Sequence, residues 1–507
     1  MNDKNVSVIT RRDFLRKAAC AAVGTAAMTS AIRDLRFMNA AVAQSNITDY
    51  KALVCIFLAG GNDSNNMIMP TVTSEYNNYS AIRTPVLAIP QSALLTLKQG
   101  DGITDYMDAD GHSFGFHPAC PELQQLFSTG KLAVLMNAGT LVMPITRAQY
   151  QSGGQRPPQL FSHADQVTQW QTSVPDQPAL TGWGGRCADL LNSVNPSAGI
   201  SLSVSLAGAN TFEVGNIVSQ YAVSTSGAIS LNGVSGARLA ALTNILGLPY
   251  TNMQSQAYAS VAAHSINTGA LLNNAITNSA AANYFTNAFP TKIITPNGGS
   301  TFTSSLTTQL KMIARLIEAG SRAAGSPTNG FGMKRQIFFC QVGGYDLHSG
   351  QTNYSGTTPN NVIIGAHANL LAELSQSLLV FQQAMEQLGL QDNVTTFTSS
   401  DFGRTFPSNG QGSDHGWGSH HIILGGSGTT NLANRSVLGG KTYGKFPTLT
   451  VNGPDDTSTG RWIPTTAIDQ YFATIATWFG VDNTNLGTVF PNIGRFASPN
   501  LGFLKTS

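Results

Sequence analysis

The stretch KALVCIFLAGG, residues 51–61, decides the fold class. Eight apolar residues follow Lys51 without alternation and stop at a double glycine, the pattern of a strand buried on both faces. KLAVLMNAG (131–139), RQIFFCQVGG (335–344) and DNVTTFTSSD (392–401) repeat it. Helical periodicity precedes three of the four: HPACPELQQLFSTG before the second, LTTQLKMIARLIEAGSRAAG before the third, HANLLAELSQSLLVFQQAMEQLGL before the fourth. TTAIDQYFATIATWFG (465–480) adds an amphipathic helix with a glycine stop. Strands alternating with amphipathic helices predict an α/β fold, a mostly parallel sheet with helices on both faces. Residues from about Asn192 to Thr301 are rich in Ser, Asn, Ala and Thr and weakly periodic, and read as an insertion or cap over that sheet.

Ligands of such sheets bind at the carboxyl ends of the strands, so the four exit loops carry the functional reading. They are GGNDSNN, NAGTLVMPITR, GGYDLHSGQ and SSDFGRT. Asp63, in the first, is either a hard metal ligand or a cap of the next helix. Asp346 and His348, two apart, point to one side of an extended segment and can share an ion, though a surface loop gives the same spacing. The tract SDFGRTFPSNGQGSDHGWGSHH (400–421) concentrates Asp401, Arg404, Asp414, His415, His420 and His421 in a chain with only 11% charged residues, too few to scatter without purpose. Carboxylates with imidazoles suit Zn, Mn, Fe or Mg, and the arginine suits a phosphate or sulfate oxyanion. The Asp-Phe-Gly in it has none of the companion motifs of a kinase. FSHADQVTQW (161–170) opens a helix at Ser162, either a nucleophile on the anion-favouring helix start or a plain cap; His163 and Asp165 beside it are base or outer-sphere groups. His112, His117, His264 and His367 stand alone and read as ordinary surface or core residues.

The amino terminus, TRRDFLRK followed by a mildly apolar AACAAVGTAAM and AVAQS, has the form of a twin-arginine export signal ending near Ala43. It predicts a periplasmic or secreted protein, exported folded by the twin-arginine machinery, whose mature part is residues 44–507. The signal carries seven Lys/Arg against three Asp, so a chain of net charge +2 becomes net −2 after cleavage. That balance excludes nucleic acid as the main partner. No later run of about 20 residues is apolar enough to span a bilayer. Cys55 and Cys340 lie in strand-like runs as small buried hydrophobes; Cys120 and Cys187 are left either bridged or free.

Taken in order, the export signal, FLAGGNDSNNMIMP, FGFHPACPEL, FSHADQVTQW, TGWGGR, GGYDLHSGQ, TSSDFGRT, SDHGWGSHHIILGG and IDQYFATIATWFG resemble the bacterial domain-of-unknown-function family fifteen-oh-one, from Lys51 to about Gly480. That family is usually placed with the alkaline phosphatases and sulfatases. The resemblance implies a metal-dependent hydrolase of a small-molecule or polymer phosphate or sulfate ester. Asp63 would bind one metal, Asp346 and His348 the other, and Ser162 would be the nucleophile. Zinc is the first choice of divalent metal, with Mn, Mg, Ca or Fe as alternatives. Two departures stand out: Asp346 and His348 are closer spaced than the superfamily's usual DxxxH, and Phe402 occupies the place of a ligand histidine after Asp401. His415, His420 or His421 is then left to supply it. The missing histidine and the abundant Asn, Ser and Thr motivate a second class of function: a non-catalytic exported binding protein that keeps the sheet and at most one metal while its long cap contacts a polysaccharide or surface-layer partner.

Overall fold

The computed structural model describes residues 47–505 apart from 196–198, 229–230, 232, 278–288, 297, 325–329, 357–358 and 429–434. The segment read as an export signal, 1–43, lies outside the described residues. Ten strands form one sheet: β1 Lys51–Leu58, β2 Leu132–Gly139, β3 Ser203–Ser205, β4 Tyr221–Ser224, β5 Gly227–Ala228, β6 Arg335–Val342, β7 Val394–Ser400, β8 Ser419–Leu424, β9 Lys441–Tyr443 and β10 Thr466–Ala467. The order is β9-β2-β8-β7-β1-β6-β3-β4-β5, with β10 also on β2. β1 is central, with Cys55 level with Phe339 of β6 and Phe397 of β7, both pairings parallel. Six of its eight residues are at most 1% exposed, which is why the sequence runs apolar without alternation.

Two sets of helices cover the sheet. Pro121–Ser128, Ser305–Ser321 and Ala366–Gln387 pack on one another over one face; His163–Thr172, Trp183–Leu191 and Ile468–Phe479 pack together over the other. The last of these ends at Gly480, whose φ of +119° gives the left-handed stop read from the sequence. The fold is therefore the α/β arrangement expected, with a mostly parallel sheet.

Two elements lay outside the sequence reading. The histidine-rich tract does not stay a loop to its end: from Ser419 it becomes β8, antiparallel to both β7 and β2 and fully buried. The low-charge Asn192–Thr301 stretch supplies β3, β4 and β5, which extend the sheet beyond β6, and two helices, Ala237–Leu246 and Met253–Thr277, the second burying Leu272, Ala275 and Ile276 in the core. Cys120, just before the helix Pro121–Ser128, and Cys187, within Trp183–Leu191, are both buried free thiols, so the bridge left open above is not formed. No helix among the described residues is long and apolar enough to cross a membrane.

Candidate metal centre

β7, β1 and β6 are parallel neighbours, so their exit loops meet at one edge. The double glycine after β1 makes that meeting tight. Gly60 has φ +115°, and a Cβ there would stand 2.4 Å from the backbone nitrogen of Asp346; Gly61 has φ +85°, and its Cβ would stand 2.6 Å from the ring of Phe402. Only glycine fits both the left-handed backbone and the space. The backbone N–H of Gly60 donates to Asp401 Oδ1 at 3.0 Å, tying the β1 and β7 exits together.

Around this junction the chain gathers His163 from a helix start, Asp346 and His348 from the loop after β6, and Asp401, Arg404, Asp414 and His415 from the tract after β7. His163 Nδ1 meets Asp401 Oδ2 at 2.7 Å, His348 Nδ1 meets Asp414 Oδ1 at 2.8 Å, and His415 Nδ1 meets the Phe161 carbonyl at 2.8 Å. Each of these oxygens accepts, so each Nδ1 carries a proton, and in the neutral ring each Nε2 presents a lone pair. The three Nε2 atoms then face one carboxylate: His163 at 3.4 Å from Asp346 Oδ2, His348 at 3.1 Å and His415 at 3.3 Å from Oδ1. His348 and His415 also oppose each other, Nε2 to Nε2, at 3.0 Å. In that neutral form, lone pairs converging on a carboxylate repel unless a proton or a metal ion lies among them. Ligand atoms of His163, Asp346 and His415 all fall within 4.8 Å of one another, a separation one metal ion can span. Imidazoles whose far nitrogen donates to a carboxylate or carbonyl are the usual form of metal-ligating histidines.

Electrostatics point the same way. Among the cluster's own residues three carboxylates, Asp346, Asp401 and Asp414, are set against one guanidinium, that of Arg404, which pairs with Asp346. Partial burial raises the Asp346 carboxyl, but the hydrogen bond and charge of Arg404 outweigh it and hold the group below the ordinary carboxylate range. For Asp414, partial burial is likewise outweighed, by hydrogen bonds from Asn409 and His348. Burial pushes the His415 imidazole below its ordinary value, against the Phe161 hydrogen bond, so it is neutral near pH 7. The floor is closed, with the Arg404 side chain 0% and Asp401 4% exposed, while Asp346, His348 and Asp414 at 44–46% leave one side open to a substrate.

Several residues singled out in the sequence have other partners. Asp63 is buried; its Oδ2 accepts from Arg83 and Gln351, and it neither joins the cluster nor caps a helix with its side chain. Burial raises its carboxyl, but Arg83 and then His367 and Gln351 bring it below the ordinary range, so it remains an anion balanced by an arginine. His420 and His421 sit within β8. His420 Nδ1 accepts from the Asn137 N–H at 2.9 Å and its ring stacks on Phe446, while His421 packs against Trp170 and Tyr471. Burial lowers both to about 3, and both are neutral core groups. Arg404, expected to grip substrate oxygens, is occupied: Nη1 donates to Asp346 Oδ1 at 2.7 Å and to the Gly60 carbonyl at 3.2 Å, and Nη2 donates to the Ser413 carbonyl. It orients Asp346. The Ser162 hydroxyl donates to Asp165 Oδ2 at 2.6 Å, inside its own helix, and meets none of the cluster's side chains. Phe402, where a ligand was expected, lines the site: its ring lies 4.9 Å from that of His163 and 4.5 Å from that of His415. The sequence reading passed over Phe161, whose carbonyl fixes His415, and Arg461, whose Nε donates to the His415 carbonyl at 2.8 Å.

Fold and site together define an α/β protein with a histidine–aspartate cluster that could hold a metal ion at the carboxyl edge of its sheet. The family model described as "Protein of unknown function (DUF1501)" matches residues 50–486, and the chain belongs to that family. No curated protein matches it. Among solved structures, the crystal structure of Ps i-CgsB in complex with k-i-k-neocarrahexaose aligns over 89% of this chain and 77% of that one, at 8% identity and a TM-score of 0.33. A likeness so remote bears on neither mechanism nor substrate.

Proposed function

We propose that the protein, with residues 44–507 as its mature part, is an exported metal-dependent hydrolase of a phosphate or sulfate ester, carried out by the twin-arginine route. The observation that carries this reading is the convergence of three imidazole Nε2 atoms on Asp346. Zinc, or Mn, Mg, Ca or Fe in its place, would be held by His163, Asp346 and His415 and would supply Lewis-acid polarisation of the ester. His348, within 3.1 Å of Asp346 and 3.0 Å of His415, is the remaining donor for a fourth bond or a second ion. Asp401, Asp414 and the Phe161 carbonyl keep the imidazoles in the ligating tautomer, and Arg404 keeps Asp346 ionised and aimed. Ser162, adjacent to His163, is assigned the attacking oxygen, and Asp165 at 2.6 Å the acceptance of its proton. The test is a panel of phosphate and sulfate esters offered to metal-loaded protein. Hydrolysis by wild type, lost in Asp346→Ala and in Ser162→Ala, is the expected result; no turnover, or turnover indifferent to both changes, refutes the mechanism.

One observation favours the second reading, a metal-holding binding protein without catalysis: the Ser162 hydroxyl is bound within its own helix rather than aimed at the cluster. Metal retention without turnover on any ester would establish that reading instead.

A further inference from the structure

With both Nη nitrogens of Arg404 engaged and its side chain buried, the hydrolase reading lacks a group to hold the charged end of its substrate. We infer that Arg461, held against the His415 backbone and the Phe161 ring, is the side chain that recognises a tetrahedral oxyanion, the sulfate or phosphate group of the ester. The inference deepens the hydrolase reading and rests on it.

Arg461 is half-buried and fixed at one end only. Its Nε donates to the carbonyl of His415 at 2.8 Å, and its guanidinium lies 4.2 Å over the ring of Phe161. Those residues are themselves joined by the bond between His415 Nδ1 and the Phe161 carbonyl. The guanidinium is therefore clamped onto the two chain segments that deliver His415 and His163. Neither Nη nitrogen has a hydrogen-bond or ion-pair partner among the described residues. Nearby arginines differ: Arg83 is spent on Asp63, Arg147 on Asn452 and Arg404 on Asp346.

The loop bearing Arg461 is built so that no neighbour neutralises it. Asp456, five residues before, is fully buried and accepts from the backbone N–H groups of Asn452, Ser458, Gly460 and Arg461 itself. Asp455 accepts from the Thr448 N–H. Both carboxylates thus hold the loop's backbone and leave the guanidinium uncompensated. A planar fork with two free Nη groups, stacked on an aromatic ring and held still by its Nε, is the arrangement that binds two oxygens of a sulfate or phosphate at once with little ordering cost. Lysine at this position would offer a point charge without the fork.

The test is calorimetric titration of the metal-loaded protein with inorganic sulfate and with inorganic phosphate, metal content being measured on the same samples. Wild type is expected to bind at least one of the two, and whichever it prefers separates a sulfate ester from a phosphate ester as substrate. Arg461→Gln should weaken that binding about 10- to 100-fold with unchanged metal content, and Arg461→Lys should fall between. Equal binding by Arg461→Gln and wild type, or no binding of either anion by wild type, overturns the inference. Should Arg461→Gln disturb the fold, phenylglyoxal labelling of wild type decides: Arg461 is expected to react and to be protected by saturating anion, and reaction unaffected by the anion overturns it. A wild type that takes up no metal refutes the hydrolase reading by itself, while the anion titration still judges Arg461.

Discussion

Replacing Asp346 with Asn keeps the shape of the side chain and removes the charge on which three imidazoles and Arg404 converge. Two losses are expected, and they separate in the presence and absence of metal. Without metal, Arg404 at 0% exposure loses its carboxylate partner but keeps the carbonyls of Gly60 and Ser413. A charge-assisted hydrogen bond contributes about 1.5–3 kcal/mol, and because Asp346 is 44% exposed, solvent screening reduces this to roughly 1 kcal/mol. With metal, wild type at a free concentration of 100 times Kd gains about 2.7 kcal/mol by mass action. For a chain of this length, near 1 kcal/mol per K of unfolding entropy, that corresponds to a rise of about 3 °C in Tm. Thermal unfolding in chelator and in excess zinc should therefore give wild type a zinc-dependent rise, and Asp346→Asn a Tm within about 1 °C of wild type in chelator, where relief of the carboxylate–imidazole repulsion offsets the weakened Arg404 bond, with no rise in zinc. An undiminished zinc response in Asp346→Asn would place the metal elsewhere and refute the reasoning.

Two further outcomes follow from the same geometry. Burial holds His117, His420 and His421 at about 3 and His367 at about 4, so all four stay neutral in the folded protein while the unfolded chain protonates them below about 6.5. Each then withdraws roughly 2 kcal/mol of stability at pH 5. Burial raises Glu213 and Asp469 to about 8, so their stabilising effect is complete below the unfolded pKa near 4 and is lost as pH rises towards 8. Four protons against two give a net gain in stability from about pH 4.5 to 6.5 and a net loss above it; urea midpoints measured in chelator should peak near pH 6.5, and a flat or monotonic profile would contradict the assignment. Gly61→Ala drives a Cβ into Phe402 at a left-handed backbone position, which should cost about 2–4 kcal/mol and weaken metal uptake; a variant with unchanged urea midpoint and metal affinity would show that the junction is slack.

Much of the site was legible because the sheet's physics is local. Runs such as KALVCIFL can be buried on both faces only in a layered α/β sheet, and parallel neighbours bring their exits together, so Asp346, His348, Asp401, Asp414, His415 and His163 were named before they were seen to meet. What escaped depended on partners distant in sequence. The fate of Asp63 was decided by Arg83, on a helix twenty residues later, and by Gln351 after β6. His420 and His421 begin an antiparallel strand, and nothing in SHHIIL marks its first histidines as core rather than ligand until β2 and β7 are in place to pair with it. Arg404 looked free because the carbonyls that absorb its donors, those of Gly60 and Ser413, carry no residue signature. Arg461 was overlooked for the converse reason: a single arginine after glycine is unremarkable until its unpaired end is seen beside His415.

The account rests on a divalent cation among the Nε2 atoms of His163, His348 and His415 and the carboxylate of Asp346. Anomalous diffraction from crystals of protein folded in the presence of zinc, recorded on both sides of the zinc absorption edge, addresses that directly. A peak bonded to His163, Asp346 and His415 is the predicted result; its absence there, or a peak instead at Asp63 or at His420, would contradict it.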